Sequence, residues 1–247
     1  MTGIKKSKYR KKDLGDPKQI LDALAEISEA VTSDLYLDDI LKLIVNVTAK
    51  VMGSKICSLL RLDKTNNELV VKATQSISDV YNKKPNIKAG GGIAGMVAKE
   101  GKPITVLDVR KDERYLNRNI AKREKLCSLL CVPLVFKGKV IGVLNSYTSK
   151  PHKFSKEEIN ILKSVANQAA IVIENFRLVV ESKVIKEELE SRKVIERAKG
   201  ILMRQETISE EEAYNKIRKY SMDSRKSMRE VSEAIIVSED MKKSAQK

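Results

Sequence analysis

The placement of proline and glycine constrains the fold of this chain more than any other feature of its sequence. All five prolines lie at or before Pro151, and from residue 152 to the end of the 247-residue chain the sole glycine is Gly200. Proline and glycine interrupt helices more than any other residues, so a long stretch almost without them favours helix. The C-terminal part is therefore predicted to be all-α, whereas residues 1–150 are predicted to alternate between helices and strands.

Apolar residues in the C-terminal part recur every three or four positions, which is the spacing of one helix face. A long helix is predicted over residues 155–203, with an apolar seam of the coiled-coil or bundle type. The seam consists of Ile159, Leu162, Ala166, Ala169, Ile173, Phe176 and Val180. Two shorter helices are predicted to begin at Ser209 and Ser227, because each starts a Ser-x-x-Glu capping box. The chain is therefore expected to end in a three-helix unit.

The first 150 residues carry the signals of an antiparallel sheet with helices packed on it. Helices are predicted over residues 17–31 and 37–52. Strands are predicted over residues 56–62, 69–73, 104–109, 126–136 and 140–147. Turn-forming residues connect the first two of these strands, and also the last two, as hairpins. Local hairpins between helices predict an α+β fold with an antiparallel sheet.

The charge of the chain favours an anionic partner such as nucleic acid. Lys and Arg number 48 against 33 Asp and Glu, which gives a net charge of +15. Residues 1–16, predicted to be a disordered basic tail, contribute +4, residues 17–180 contribute +9, and residues 181–247 contribute only +2. Five basic residues nevertheless cluster in the last part, with Glu196 alone opposing them. They are Arg192, Lys193, Arg197, Lys199 and Arg204. On a helix several of these side chains share one side, where they either contact phosphates or form a solvated charged face.

The sequence lacks the residues that an enzymatic site or a metal site would need. The single histidine, His152, cannot build a histidine-rich metal site and is predicted to be a surface loop residue. Cys57, Cys127 and Cys131 have no zinc-ligand spacing and are predicted to be inert core thiols, because four residues of strand separate the last two by about 13 Å. We therefore assign no catalytic residue and no metal ligand, and expect a protein that is not an enzyme. The odd cysteine count and the lack of a signal peptide favour the cytoplasm. No apolar run approaches the ~20 residues of a membrane-spanning helix, which excludes a membrane span.

Glycine marks two further positions. Residues 90–95 fit the pattern G-x-G-x-x-G, but they follow no buried strand, so a ligand-binding loop or a simple turn is expected instead of a dinucleotide site. Gly200 lies within the long predicted helix, where glycine costs about 1 kcal/mol relative to alanine. This cost predicts that either another helix or a nucleotide approaches the backbone closely at Gly200.

A long motif in the C-terminal part resembles the ANTAR domain. The pattern R-x-x-I-x-x-A-K-G-x-L-M runs from Arg192 to Met203, and S-x-x-E-A-Y follows at residues 209–214. Two departures are visible: residues 205–207 stand where many members have a glycine at the helix break, and Ser232 stands where alanine is usual. The resemblance implies a bacterial transcription antiterminator. Such proteins dimerise through the long helix, bind paired RNA hairpins in nascent leader transcripts and prevent formation of the terminator.

The resemblance also implies which residues contact RNA. Carried over position by position, they are Arg192, Lys193, Arg197, Ala198, Lys199, Gly200, Met203, Arg204, Tyr214 and Arg218. Binding of duplex DNA by the same three-helix unit stays open as an alternative function.

Residues 17–180 resemble a GAF domain. The match is carried by residues 37–44, 90–95, 129–134, 138–145 and 154–158. This resemblance implies a small-molecule pocket beside an antiparallel sheet, with Cys57, Gly92 and Cys131 as candidate pocket residues and no cofactor or effector identified. The complete prediction is a GAF-like sensor at 17–180, an ANTAR domain at 181–240 led by a coiled-coil helix, and a tail at 241–247. Cysteine-dependent chemistry in the sensor is the remaining alternative.

Overall fold

The computed structural model describes residues 36–244, together with Asp22, Ala25, Glu26 and Glu29 before them. The chain divides into two compact units, Met1–Phe176 and Arg177–Lys247. The basic tail predicted over 1–16 lies outside the described residues, as do most positions of the helix predicted to follow it and residues 245–247.

The first unit is built on an antiparallel sheet. Its elements in chain order are α1 (Leu37–Val51), β1 (Ile56–Asp63), β2 (Glu68–Thr74), α2 (Asp79–Asn82), β3 (Ile87–Lys88), α3 (Gly92–Glu100), β4 (Ile104–Val106), α4 (Arg118–Arg123), β5 (Leu129–Phe136), β6 (Lys139–Tyr147) and the start of α5 (Lys156–Glu206). The six strands lie in the order β3-β2-β1-β6-β5-β4, and every neighbouring pair is antiparallel. The predicted α+β class is confirmed. No sequence pattern had indicated α2, β3 or α4, and β5 begins three residues later than predicted, so Cys127 precedes the strand.

The two faces of the sheet bury different cores. On one face, apolar residues of α1 such as Ile44 and of α5 such as Leu162 pack on the sheet beside Leu144 of β6. On the other face, Ile93 and Val97 of α3 pack with Tyr147 of β6 and with the loops around them. Because side chains of a strand alternate between faces, neighbouring residues of one strand enter different cores.

The first half of the long helix packs on the sheet of its own chain. Leu162, Ala166, Ala169 and Ile173 belong to the core between α1, α5 and the sheet. The helical periodicity was predicted correctly, but its interpretation as a coiled-coil seam is wrong for these positions, since the sheet already covers them.

The start of α5 is held by side chains from the turn before it. Nε2 of His152 lies 2.8 Å from Oε1 of Glu158, and the other carboxylate oxygen of Glu158 accepts the Ser155 amide at 2.7 Å. The His152 ring also packs edge-on against Phe154. His152 lies in a loop as predicted, but its side chain is partly buried and paired with Glu158.

The second unit consists of the rest of α5 with α6 (Glu210–Ser224) and α7 (Met228–Ser244). Both predicted capping boxes are present, with Ser209 paired to Glu212 and Ser227 paired to Glu230. The buried core residues are Ala198, Leu202, Ala213, Ile217 and Val231. The chain leaves α5 through Thr207, whose φ of 57° is in the left-handed region that glycine adopts without strain. The glycine that many ANTAR domains carry near this helix break would suit that conformation.

Candidate functional site

The predicted nucleic-acid residues of α5 share one side of the helix, with one exception. At about 100° per residue, the positions from Arg192 to Arg204 that were assigned to RNA fall within an arc of about 160°. Ala198 lies outside this arc and is fully buried against α6 and α7. The side chain of Ala198 therefore packs in the core of its own unit, away from the side that carries the cations.

Lys199 lies at one edge of this arc and is held by carboxylates. Its ammonium group is 2.8 Å from Glu196 and 2.7 Å from Glu210, and the residue is only 7% exposed. Hydrogen bonds to Glu196 and Glu210 raise the pKa of Lys199, and the same contact with Lys199 lowers the pKa of Glu210. A phosphate that contacts Lys199 must therefore compete with two acids.

The other cations of the site fall into two groups. Lys193 pairs with Glu190, and Arg197 pairs with Asp240 of α7 at 3.1 Å. Arg192, Arg204 and, on α6, Arg218 are exposed, and none of these three has an ion-pair partner within the described part of the chain. Free guanidinium groups are available to bind phosphate in the planar, two-bonded geometry that arginine favours.

The backbone at Gly200 is open to a partner. A Cβ built there would meet a single group within 4 Å, the Arg204 guanidinium at 3.8 Å, which is ordinary van der Waals contact. No neighbouring helix among the described residues thus requires glycine at this position, so close packing within the described part of this chain does not explain Gly200. The accessible backbone lies beside Arg204 and Met203, both of which are exposed.

A groove beside this arc adds an aromatic ring. It is lined by Val184, Glu187, Glu188, Ser191, Arg192, Ile195, Glu196, Lys199 and Tyr214. Tyr214 of α6 is 41% exposed, and Arg218 follows it by one helical turn. An exposed tyrosine near free arginines offers a surface on which an unpaired base can stack. The face is not uniformly basic, because three glutamates also line the groove.

The sensor candidates are divided between the two faces of the sheet. Gly92 lines a small cavity on the α3 side, whose walls are formed by Lys84, Ile87, Gly92, Ile93, Ala94, Tyr115, Leu116, Asn117, Leu129 and Tyr147. Cys131 is buried in the core on that side without lining the cavity. Cys57 is buried on the opposite face against α1 and α5, so the prediction for Cys57 is corrected. The segment that supplies Lys84 has no periodicity that would have indicated a cavity wall.

All three thiols are free and buried. Burial raises the pKa of Cys57, Cys127 and Cys131 above the usual value of a thiol. Since the thiolate is the reactive form of cysteine, these environments favour inert thiols. Among the described residues no group of acidic, histidine or cysteine side chains could hold a metal ion, and none of the described helices is both long and apolar enough to span a bilayer.

Comparison with known families decides the identity of the two units. A GAF domain model matches residues 34–174, more than half of the chain, and an ANTAR domain model matches residues 184–236. The chain belongs to the GAF domain family, with an ANTAR domain after it. The two compact units are called the GAF unit and the ANTAR unit below.

The chain is also similar to two longer proteins and to one solved GAF domain. A methyl sulfide methyltransferase-associated sensor of Methanosarcina acetivorans is 28% identical over 154 residues, which is 60% of this chain and 15% of that protein. A phosphoenolpyruvate-dependent phosphotransferase system protein of Escherichia coli is 24% identical over 64% of this chain and 21% of its own length. The solved GAF domain of a phosphoenolpyruvate-protein phosphotransferase from Coxiella burnetii superposes with a TM-score of 0.60 at 26% identity, covering 66% of this chain and 98% of that domain. The chain thus spans about a fifth or less of the full length of the first two proteins.

Proposed function

We propose that this protein is a ligand-responsive antiterminator whose ANTAR unit binds paired RNA hairpins in nascent leader transcripts. RNA-binding antitermination is the role that ANTAR domains are known for, and the observation that supports it here is the open backbone at Gly200. A helix-interior glycine that packing does not need is explained when a nucleotide approaches it. Arg192, Arg204 and Arg218 would supply the phosphate contacts, and Tyr214 a stacking surface.

A second copy of the chain is the proposed partner along α5. Within the ANTAR unit the part of α5 before the basic arc exposes Leu178, Val179, Val180, Val184, Ile185 and Leu189. Leu178 and Ile185 are seven residues apart and Leu189 follows one turn later, which is the spacing of a two-stranded coiled coil. Contiguous apolar surface of this kind marks an interaction site. A dimer would present two ANTAR units, and a two-hairpin RNA would then gain effective concentration for its second contact.

The sensor would act through the helix that the two units share. α5 runs without a break from Lys156 to Glu206, so a change in its packing on the sheet can reach the basic arc. The ligand shifts this equilibrium only to the extent that it binds the two arrangements unequally. A flexible Ser-Gly insertion after Glu188 is expected to abolish regulation by ligand while leaving RNA binding in place. Regulation that survives this insertion would contradict the proposed route.

In this proposal the protein acts in the bacterial cytoplasm and has no catalytic role. The raised pKa values of the three buried thiols support this choice over cysteine-dependent chemistry. Duplex DNA is the competing nucleic-acid ligand for the same arginines, so the binding test must compare the two.

The test of RNA binding uses a pool of transcripts that carry two tandem hairpins with randomised loops. The transcript enriched on the full-length protein is expected to bind in gel shifts and to resist competition by duplex DNA at matched salt, because salt sets most of the electrostatic affinity. Failure of the pool to enrich, or displacement by DNA of equal length, would contradict the proposal.

Substitutions of two arginines test where the RNA contacts the ANTAR unit. Arg192→Gln and Arg204→Gln each remove an unpaired exposed cation, and each is expected to weaken hairpin binding by roughly 10-fold, within the range of charge-assisted phosphate contacts. Lys219→Gln is the matched control, since Lys219 is exposed and lies about 100° around α6 from Arg218. Lys199→Glu is less informative, because it would place a third carboxylate beside Glu196 and Glu210.

A further inference from the structure

The described part of the GAF unit contains a very small cavity. Its volume is about 20 Å³, which is the room of one water molecule. It lies on the α3 side of the sheet, and its walls are mainly apolar apart from Lys84, Asn117 and two tyrosines, of which Tyr115 donates its hydroxyl hydrogen to Tyr147 at 3.2 Å. A lysine side chain is unusual in the wall of such a small and mainly apolar cavity.

Lys84 has no anionic partner. Its ammonium group lies 4.0 Å above the centre of the Tyr81 ring, and among the described residues no carboxylate or other hydrogen-bond acceptor contacts it. The residue is partly buried, and burial lowers the pKa of Lys84 to about 7. A buried cation is unfavourable unless an anion pairs with it. The ammonium group is therefore unsatisfied in this form of the protein.

The N-terminus of α3 faces the same cavity. Gly92, Ile93 and Ala94 form the first turn of α3 and line the cavity, and the N-cap residue, Gly91, has no side chain to accept their amides. Within the described residues no backbone carbonyl accepts these three amides either. Unpaired first-turn amides are the positive end of a helix and bind anions. A cation and a helix N-terminus thus meet at one cavity with no anion between them.

A third unsatisfied group lies on the same face of the sheet. Asn145 is 1% exposed, and its side-chain oxygen has no hydrogen-bond donor. Asn145 alternates along β6 with Tyr147, so both side chains project to the α3 side. Buried polar atoms without partners are rare in native proteins, and each one requires an explanation such as a missing water or ligand.

Leu116 is an exposed residue in the wall of the cavity. Leu116 is 61% exposed, and a Cβ built on Gly92 would lie 2.8 Å from its Cγ, so the leucine rests directly on the glycine backbone. Because so much of Leu116 is already exposed, moving it outward removes little apolar surface from contact. Displacement of Leu116 would enlarge the cavity beyond the size of a water molecule.

We propose that this cavity binds a small organic carboxylate, with its anionic group between the Lys84 ammonium group and the first-turn amides of α3. The apolar part of the ligand would lie against Ile87 and Leu129 and take the place of Leu116. A single negative charge matches the single unpaired ammonium group, which is why a monocarboxylate fits this site better than a phosphate. The proposal rests on the ligand-sensing part of the proposed function.

The test measures thermal unfolding of the full-length protein with acetate, propionate, butyrate and benzoate, each compared with its neutral amide. At least one carboxylate is expected to raise Tm by about 3–5 °C at ~10 times its Kd, and its amide is expected to have no effect. Lys84→Met is expected to raise the Tm of the free protein and to abolish the shift. Lys83→Met is the matched control, because Lys83 is exposed, pairs with Asp79 and does not line the cavity.

Several outcomes would overturn the proposal. They are stabilisation by none of the carboxylates, equal stabilisation by an amide, stabilisation by inorganic phosphate alone, and an undiminished shift in Lys84→Met. Should Lys84→Met not fold, Lys84→Gln is measured in its place with the same expected loss. The readout contains no RNA, so its failure leaves hairpin binding by the ANTAR unit to be judged separately.

Discussion

Gly200→Ala separates the stability of the ANTAR unit from its proposed function. Among the described residues the added Cβ contacts only the Arg204 guanidinium, at 3.8 Å, and Gly200 has no positive φ, so none of them opposes the substitution. Alanine is better than glycine in a helix interior by about 1 kcal/mol. For a unit of this size that gain corresponds to an increase in Tm of about 4–8 °C.

The same methyl group occupies the open backbone surface that we assign to RNA. Hairpin affinity is therefore expected to fall at least about 10-fold, equivalent to ~1.4 kcal/mol, although the protein is more stable. Circular dichroism at 222 nm measures the unfolding transition, and a gel shift with the enriched hairpin transcript measures the affinity. Ser232→Ala is the matched control: it removes a buried hydroxyl that lacks a partner, and is expected to stabilise by about 1 kcal/mol without changing RNA affinity. Unchanged RNA affinity in Gly200→Ala would refute the reasoning, as would a loss of stability.

Three further predictions concern other parts of the molecule. Thr207→Gly is expected to raise stability by about 0.5–1 kcal/mol in urea unfolding, because it relieves a φ of 57°; a lower midpoint would contradict this. Ile185→Glu, at a position 65% exposed, is expected to convert the proposed dimer to folded monomer in sedimentation equilibrium, whereas the neighbouring Lys186→Glu is not. For Lys84 the folded pKa of about 7 lies below the unfolded value of ~10.4, so the unfolded chain binds more protons between these values. The free-energy cost of burying the charged Lys84 ammonium group is complete below pH 7 and disappears as pH rises towards 10. Wild-type stability relative to Lys84→Met should rise across that window, and parallel curves would contradict the assignment. The surrounding Tyr81, Tyr115, Tyr147 and Cys131 have raised pKa values and stay neutral there.

Local patterns were sufficient to predict most of the secondary structure of both units, but not the short elements α2, β3 and α4. Capping boxes at Ser209 and Ser227, the hairpin-forming turns and the lack of proline after Pro151 all act over a few residues, and the structure confirms each of them. Helical periodicity, in contrast, shows that one face of α5 is apolar without showing what covers it. Residues such as Leu162 and Ala166 pack on the sheet, and this could not be distinguished from a coiled coil in the sequence.

The candidate sites depend more on contacts between distant residues. Because side chains alternate along a strand, Cys57 faces the side of the sheet opposite to its sequence neighbours. This alternation does not show which face of the sheet borders the cavity. The pairing of Lys199 with Glu210, and of Arg197 with Asp240, joins different helices and follows from their packing. Lys84 lies in a segment without periodicity, and only the fold brings it to the first turn of α3. The motif therefore indicated cations on one side of α5, whereas the ion pairs that each of them makes required the structure.

The most direct test of the account is single-round transcription from a template whose leader carries the paired hairpins overlapping a terminator. Addition of the wild-type protein is expected to increase read-through several-fold, and Gly200→Ala is expected to leave termination unchanged at the same concentration. A template with one hairpin removed should respond to neither protein. Read-through that does not increase with the wild-type protein, or that increases equally with Gly200→Ala, would contradict the proposal that the ANTAR unit acts on RNA at this helix surface.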